Sequence, residues 1–167
     1  MNGVGFCYET GCGTAKSMTS AALWYQKAAE KGHSRGLYHL GDCYKNGCGV
    51  EANQTKAFEC YQKAEQAAAA KGGDADVECE LGCCYETGSG TEKSPSQAFS
   101  WYKKAAQKGH VDAEFELAGC YLNGTGVKED RAAAFNWCQK AAKSGKTEAK
   151  FLLGLLYIVG YGVPQNW

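Results

Sequence analysis

Residues 112–145 read DAEFELAGCYLNGTGVKEDRAAAFNWCQKAAKSG, and this stretch decides the fold because the chain repeats it about four times. It contains a segment with apolar residues at helical spacing, a link with Gly124 and Gly126, and a second helical segment that ends at Gly145. The tyrosine that closes the first segment recurs at intervals of 36, 41, 36 and 36 residues, as Tyr8, Tyr44, Tyr85, Tyr121 and Tyr157. A fixed period in this range indicates a stacked repeat architecture.

Other positions of the repeat keep their character in every copy. Three residues before each tyrosine stands a small residue, which lets two helices approach closely: Gly5, Gly41, Gly82, Ala118 and Gly154. Three and five residues after it stand two glycines, which take positive φ without steric cost. Nine residues after it stands a helix-capping residue: Ser17, Asn53, Ser94, Asp130 and Asn166. The combined start, link and stop signals predict a helix–turn–helix hairpin in each copy.

The recurring pattern resembles a known repeat family. Ala-x-x-x-Leu-Gly-x-Cys-Tyr-x-x-Gly-x-Gly-Val, a cap, and then Ala-Phe-x-Trp-Tyr-x-Lys-Ala-Ala-x-x-Gly is similar to the Sel-1-like repeat, a relative of the tetratricopeptide repeat. The residues that carry the resemblance are Ala113, Leu117, Cys120, Tyr121, Gly124, Gly126, Val127, Ala134, Phe135, Trp137, Ala141, Ala142 and Gly145. The resemblance extends over essentially the whole chain. It implies an all-α, right-handed superhelix (a solenoid) of helix–turn–helix repeats that acts as a scaffold or adaptor.

The same register divides the chain into one domain of five units. They are a partial repeat over 1–33, repeats over 34–73, 74–110 and 111–146, and a partial repeat over 147–167. The second repeat contains an alanine-rich insertion near 65–71, which lengthens a helix at little cost. The alternative is that this insertion forms a spur that contacts a partner.

Ten cysteines need an explanation. Four of them directly precede the repeat tyrosine, where the last copy has Leu156, and two others replace the tryptophan or tyrosine of the second segment: Cys7, Cys43, Cys84, Cys120, Cys60 and Cys138. Because they exchange with large apolar residues, we expect buried, reduced thiols in a cytoplasmic protein whose opening residues do not resemble a signal peptide. The alternative is a secreted or periplasmic protein with paired cysteines. For that case the resemblance to the cysteine-rich Helicobacter group implies penicillin-binding or β-lactamase-type activity.

The sequence contains few residues arranged for catalysis or for binding a metal, nucleic acid or a membrane. Basic and acidic residues number 18 each, so no net charge attracts nucleic acid or an acidic membrane, and no apolar run approaches the roughly 20 residues of a membrane span. His33 and His110 share a turn position, and His39 has no nucleophile in a recognisable context. Cys79 and Cys83 supply only half of a tetrahedral zinc site. We therefore expect no catalytic residue, no cofactor and no metal.

The remaining function is binding. The resemblance implies that the first helix of each hairpin lines the concave face, and that the residues nine, six and two before the tyrosine, and one or two after it, point inward. The predicted partner-binding residues are Arg35, Tyr38, Asp42, Lys45, Asn46, Asp76, Cys79, Glu86, Asp112, Phe115, Leu122, Asn123, Phe151 and Leu155. This series changes from charged to apolar, which suits an extended peptide or a partner helix. The alternative is that Phe115 and Phe151 pack on each other along the stack.

Two further expectations concern single elements. The ring of Tyr121 is expected to be buried between the two helices of its own hairpin. The last helix, 151–159, is apolar nearly all round, which suggests either a fragment of a longer array or self-association through incomplete terminal repeats. A structural subunit that assembles head-to-tail is therefore a third functional hypothesis.

Overall fold

The computed structural model describes residues 2–161, which form helices joined by short links. The helices are α1 Asn2–Thr10, α2 Met18–Glu30, α3 Ser34–Asn46, α4 Gln54–Ala68, α5 Ala75–Thr87, α6 Pro95–Gln107, α7 Val111–Asn123, α8 Arg131–Lys143 and α9 Thr147–Ile158. Each helix packs on the next one in the chain, and no strand occurs within the described range. The predicted all-α solenoid is confirmed. Helices α1, α3, α5, α7 and α9 are termed the first helices, and α2, α4, α6 and α8 the second helices.

The helix ends lie where the capping residues predicted them. The side chains of Ser17, Asn53 and Asp130 accept hydrogen bonds from backbone N–H groups in the first turns of α2, α4 and α8. Ser94 makes no such bond, and Pro95 occupies the first position of α6. Asn166 lies outside the described residues. Local hydrogen bonding therefore determines where most of these helices begin.

In three links, the second glycine fixes the position of one hairpin on the hairpin before it. Gly126 has a φ of 72°, and a Cβ placed there would overlap the carbonyl oxygen of Pro95 at the start of α6. Gly49 and Gly90 stand in the same relation to the carbonyls of Met18 and Gln54. Because backbone meets backbone at these points, no side-chain movement makes room for a larger residue.

A second close approach joins the two helices of a hairpin. Tyr25, Tyr61 and Tyr102 of the second helices are at most 2% exposed. A Cβ added at Gly5, Gly41 or Gly82 would lie 2.6 Å from the facing tyrosine ring. In the α7–α8 hairpin, Ala118 replaces the glycine and Cys138 replaces the tyrosine, and both are buried. The small and the large residue therefore change together, so that the volume between the helices stays filled.

The expectation for Tyr121 is wrong. Its ring is only partly buried and packs edge-on against Phe99 of the preceding hairpin, with ring centroids 5.3 Å apart. The pairs Phe58–Tyr85 and Phe135–Tyr157 repeat this geometry. The position between the two helices of a hairpin is occupied instead by a second-helix residue. This residue is Tyr25, Tyr61 or Tyr102 and, in the α7–α8 hairpin, Cys138. The repeat tyrosines of the first helices thus join neighbouring hairpins.

The inserted residues of the second repeat continue a helix. α4 runs to Ala68, a short 3-10 turn follows over Ala69–Lys71, and Gly72 ends it with a φ of 93°. Ala69, Ala70 and Lys71 are exposed. The insertion therefore extends α4 beyond its neighbours, as the alanine content predicts.

All ten cysteines lie within the described part of the chain, and each carries a free thiol. Cys43, Cys84, Cys120, Cys60 and Cys138 are buried, whereas Cys7 is only partly buried. Burial raises the pKa of Cys43 and of Cys84 to about 12. Five of the six cysteines interpreted as apolar core residues are therefore buried.

Within residues 2–161, no helix combines the length and apolarity needed to span a membrane.

Candidate functional site

The fourteen predicted binding residues all lie on α3, α5, α7 and α9, and each is partly or fully exposed. The surface formed by them together with Glu80 and Glu116 is termed the first-helix face. Because these residues recur at similar offsets in successive hairpins, the stacked helices present them side by side. The fourteen residues therefore define a candidate surface on the first helices, and their role in binding stays a prediction.

Ion pairs connect adjacent first helices across this face. Arg35 Nη1 lies 2.7 Å from Asp76 Oδ2, and Lys45 Nζ lies 2.6 Å from Glu80 Oε2, which joins α3 to α5. Lys146, the N-cap residue of α9, lies 2.7 Å from Asp112 on α7. Such exposed pairs contribute about 1 kcal/mol or less each. Their main effect here is to neutralise the few cations of the face.

Two predicted binding residues also support the core. Tyr61 Oη donates to Asp42 Oδ1 at 2.8 Å, and Tyr102 Oη donates to Glu86 Oε2 at 2.7 Å. Tyr25 donates to Glu9 in the same way. A buried phenol requires an acceptor, and these carboxylates provide it. In the α7–α8 hairpin, where Cys138 replaces the tyrosine, no carboxylate is needed, and Leu122 takes the position that corresponds to Glu86.

The middle of the face is electronegative. Asp42, Glu86 and Glu116 form no ion pair with any described residue. Burial raises the pKa of Glu116, and the neighbouring Glu86 carboxylate raises it further. Burial also raises the pKa of Asp42 to about 6, against the opposing effects of the Tyr61 hydrogen bond and of Lys45.

The raised pKa of Asp42 predicts a pH dependence of stability. The folded state holds this proton more tightly than the unfolded chain, so the contribution is present below the unfolded pKa of about 4 and is lost as the pH rises through about 6. Relative to Asp42→Asn, which retains an acceptor for Tyr61, the native chain should therefore lose about 1 kcal/mol between pH 4 and pH 7. This value is smaller than the full pKa shift implies because the carboxylate is partly exposed. Urea denaturation across this pH range measures the difference.

The exposed Glu59 provides the matched control for this experiment. Glu59→Gln should give a pH profile parallel to that of the native chain. Parallel profiles for native protein and Asp42→Asn would contradict the prediction.

One end of the face is apolar. Phe115 and Leu122 on α7 are partly buried against the hydrophobic cluster of α7, α8 and α9. On α9, Phe151 is 72% and Leu155 43% exposed. Because most of the Phe151 ring is in solvent, stacking on Phe115 does not bury it. This end therefore presents apolar side chains to solvent, beside the electronegative middle.

Sequence reasoning missed Glu80 and Glu116, which stand five residues before the repeat tyrosine. Positions nine, five and two before the tyrosine are related by four and three residues, which places them on one helix face. Positions nine, six and two share the same three- and four-residue spacings, so the sequence did not distinguish the offset of five from the offset of six.

Two buried carboxylates were missed as well. Glu78 and Glu114 are 2% and 1% exposed, and they pair with Lys108 at 2.6 Å and Lys140 at 2.9 Å. They occupy equivalent positions near the start of α5 and α7 and join each of these helices to the second helix of its hairpin. A buried charge needs such a partner, so these pairs are structural.

The histidines and the cysteine that were candidates for catalysis or metal binding occupy structural positions. His33 and His110 are the N-cap residues of α3 and α7, and His110 Nδ1 accepts from the N–H of Ala113. His39 stacks on Tyr25 at 4.8 Å between ring centroids, and burial lowers its pKa. Burial raises the pKa of Cys79 to about 12, which disfavours the thiolate form. Among residues 2–161, no three candidate ligands lie close enough to hold a metal ion.

Comparison with known proteins identifies the repeat. The Sel1 repeat family model matches residues 1–33, 34–72, 75–110, 111–146 and 147–166. No curated protein matches the chain.

Several solved structures share the fold. A Sel1 repeat protein from Oxalobacter formigenes is 33% identical with a TM-score of 0.87, over 98% of this chain and 63% of that protein. The protective antigen c5321 of uropathogenic Escherichia coli, which has an SLR fold, is 30% identical with a TM-score of 0.90, over 99% of this chain and 34% of the antigen. Cysteine rich protein B of Helicobacter pylori is 25% identical with a TM-score of 0.61, over 83% of this chain and 96% of that protein. This chain therefore spans less than two thirds of the first two proteins. Since the family model matches nearly every residue and the same fold recurs at this identity, the chain belongs to the Sel1 repeat family.

Proposed function

We propose that the chain is a protein-interaction scaffold that binds a peptide or helix of a partner on the first-helix face. The observation that carries this proposal is the run of exposed apolar side chains, Phe151 and Leu155, beside the partly buried Phe115 and Leu122. Exposed apolar groups that adjoin a polar surface are typical of protein-binding sites. Sel1-repeat proteins are generally protein–protein interaction scaffolds, which supports the same function.

The proposed scaffold is not an enzyme. His39 is stacked on Tyr25 and has a lowered pKa, and the pKa of Cys79 is raised by burial, so neither group has the environment of an activated base or nucleophile. The free thiols, half of them buried, support a reducing compartment such as the cytoplasm over the secreted alternative with paired cysteines.

Selection from a random peptide display library tests the proposal. Phe115→Ala combined with Leu122→Ala should lower the affinity for the selected peptides by at least about tenfold, because truncation of a binding hot spot commonly costs 2 kcal/mol or more. Fluorescence anisotropy with labelled peptides measures the affinity, and circular dichroism verifies that both proteins remain helical at the temperature used.

Leu23→Ala combined with Trp24→Ala is the matched control, since it removes a leucine and a partly buried aromatic residue from α2, outside the first-helix face. This variant should bind normally. Phe151→Ser, which changes a side chain that is 72% exposed, tests the face with little risk to folding. If every selected peptide binds all three variants equally well, the proposed function is wrong.

A further inference from the structure

Charge is unequally distributed between the two layers of the solenoid. The first helices carry ten acidic and three basic side chains, whereas the second helices carry three acidic and eight basic ones. The whole chain has a net charge of zero, so this separation is invisible in the composition. Glu78 and Glu114 are buried and paired with lysines, but the remaining charges of the first helices are still mainly acidic although the protein is neutral.

The cations of the first helices do not neutralise this layer. Arg35 and Lys45 are already paired with Asp76 and Glu80. Lys150 is exposed on α9, away from the acidic middle of the face on α3, α5 and α7. The acidic middle therefore retains carboxylates that form no ion pair with any described residue.

Three carboxylates without an ion-pair partner are partly removed from water, and two of them are near each other. Asp42, Glu86 and Glu116 belong to α3, α5 and α7, and all three are partly buried. Glu86 is close enough to Glu116 to raise the pKa of the Glu116 carboxyl. Like charges in such an environment repel each other, and an added cation relieves that repulsion.

The apolar end of the face adjoins these carboxylates along α7. Phe115, Glu116 and Leu122 all belong to this helix, and Phe151 and Leu155 follow on α9. An occupant that covers both regions needs apolar side chains for α7 and α9, and positive charge for α5 and α7. Nucleic acid and anionic lipid have the wrong charge for the second region.

We propose that the occupant of the first-helix face is a cationic amphipathic segment of a protein partner. Its apolar side chains contact Phe151 and Leu155, and its lysine or arginine side chains pair with Glu86 and Glu116. This inference rests on the proposed function and specifies the chemistry of the partner. Electrostatic complementarity of this kind increases the association rate and selects among partners.

Three synthetic amphipathic peptides with one leucine pattern test the charge requirement. They carry lysine, glutamine or glutamate at all polar positions, and fluorescence anisotropy measures their binding to the native protein. The lysine peptide should bind at least about tenfold more tightly than the glutamine peptide, and the glutamate peptide should bind most weakly. The advantage of the lysine peptide should shrink as sodium chloride is raised from about 50 to 300 mM.

A matched pair of variants locates the effect. Glu86→Gln combined with Glu116→Gln removes two negative charges from the face and leaves an acceptor for the Tyr102 hydroxyl. Glu30→Gln combined with Glu59→Gln removes two exposed charges from the second helices. The first variant should bind the lysine peptide about tenfold less tightly, and the second should remain within twofold of the native protein.

Each contrary result has a distinct meaning. Equal loss in both variants would show non-specific attraction and overturn the inference. Glutamine peptides that bind as tightly as lysine peptides, with binding sensitive to Phe151→Ser, would overturn the inference and leave the proposed function intact. Light scattering that shows self-association abolished by the Glu86 and Glu116 changes would identify a second copy as the occupant, which also overturns it.

Discussion

Gly82→Ala is expected to lower the free energy of unfolding by about 3 kcal/mol, the upper end of the usual cost of overpacking a core. The added methyl carbon would lie 2.6 Å from the Tyr102 ring, well inside van der Waals contact. This ring is only 2% exposed and its hydroxyl is bonded to Glu86, so it has no free space to move into. For a domain of this size, 3 kcal/mol corresponds to a fall of about 6–12 °C in melting temperature.

The α7–α8 hairpin predicts how this loss is rescued. There the structure pairs Ala118 with Cys138, the combination created by Gly82→Ala together with Tyr102→Cys. Tyr102→Cys alone should cost about 3–4 kcal/mol because it leaves a cavity. The double variant should be less destabilised than the sum of the two single variants by at least 1 kcal/mol, since the methyl group then fills part of that cavity.

Urea denaturation of the four proteins of this cycle measures the coupling. Gly119→Ala is the control, because a Cβ at this helical position of α7 meets nothing within 4 Å. It should leave stability unchanged or raise it by up to about 1 kcal/mol through helix propensity. Additive effects of Gly82→Ala and Tyr102→Cys would contradict the pairing of small and large residues.

Gly126→Ala is expected to cost about 4 kcal/mol or more. Its φ of 72° alone makes a side chain unfavourable by about 1–2 kcal/mol. The larger part of the effect comes from the collision of the new Cβ with the Pro95 carbonyl of the preceding hairpin. Because both groups belong to the backbone, relief requires the two hairpins to separate, which exposes the apolar contacts between them.

Gly124→Ala distinguishes strain within the link from this collision. Gly124 has a similar φ of 67°, and its nearest neighbouring atoms would lie 3.6 Å from an added Cβ, an ordinary contact distance. Its cost should therefore be limited to about 1–2 kcal/mol. Thermal and urea denaturation of the two variants give the comparison. Equal losses would mean that Gly126 does not control the stacking of hairpins.

Much of the fold could be predicted from the sequence because its determinants are local. The bonds that Ser17, Asn53 and Asp130 accept at the helix starts involve residues three positions away. The link glycines and the helical spacing of apolar residues act over a similarly short range. Repetition of these signals about every 36 residues then predicted the stacked hairpins.

The candidate site was predicted less completely, although one pattern in the sequence carried more information than was used. A glycine is followed by a tyrosine twenty positions later at Gly5, Gly41 and Gly82, whereas Ala118 is followed by Cys138. This joint change indicates contact between the two columns. It indicates that the tyrosines buried between the helices of a hairpin are those of the second helices. Tyr121, on a first helix, is not one of them.

Tertiary structure decided the rotation of each helix about its own axis. A shift of one residue turns a side chain by about 100°, so the offset of six in place of five directed the prediction away from Glu80 and Glu116. The Tyr102–Glu86 bond and the ion pairs Arg35–Asp76 and Lys45–Glu80 join residues 16, 41 and 35 positions apart. The sequence alone determined the hairpins and their ends, because these depend on local backbone chemistry, and the repeat period predicted that the hairpins stack. Which carboxylates meet a tyrosine, which meet a lysine and which remain unneutralised was decided only when packing set the rotation of neighbouring helices.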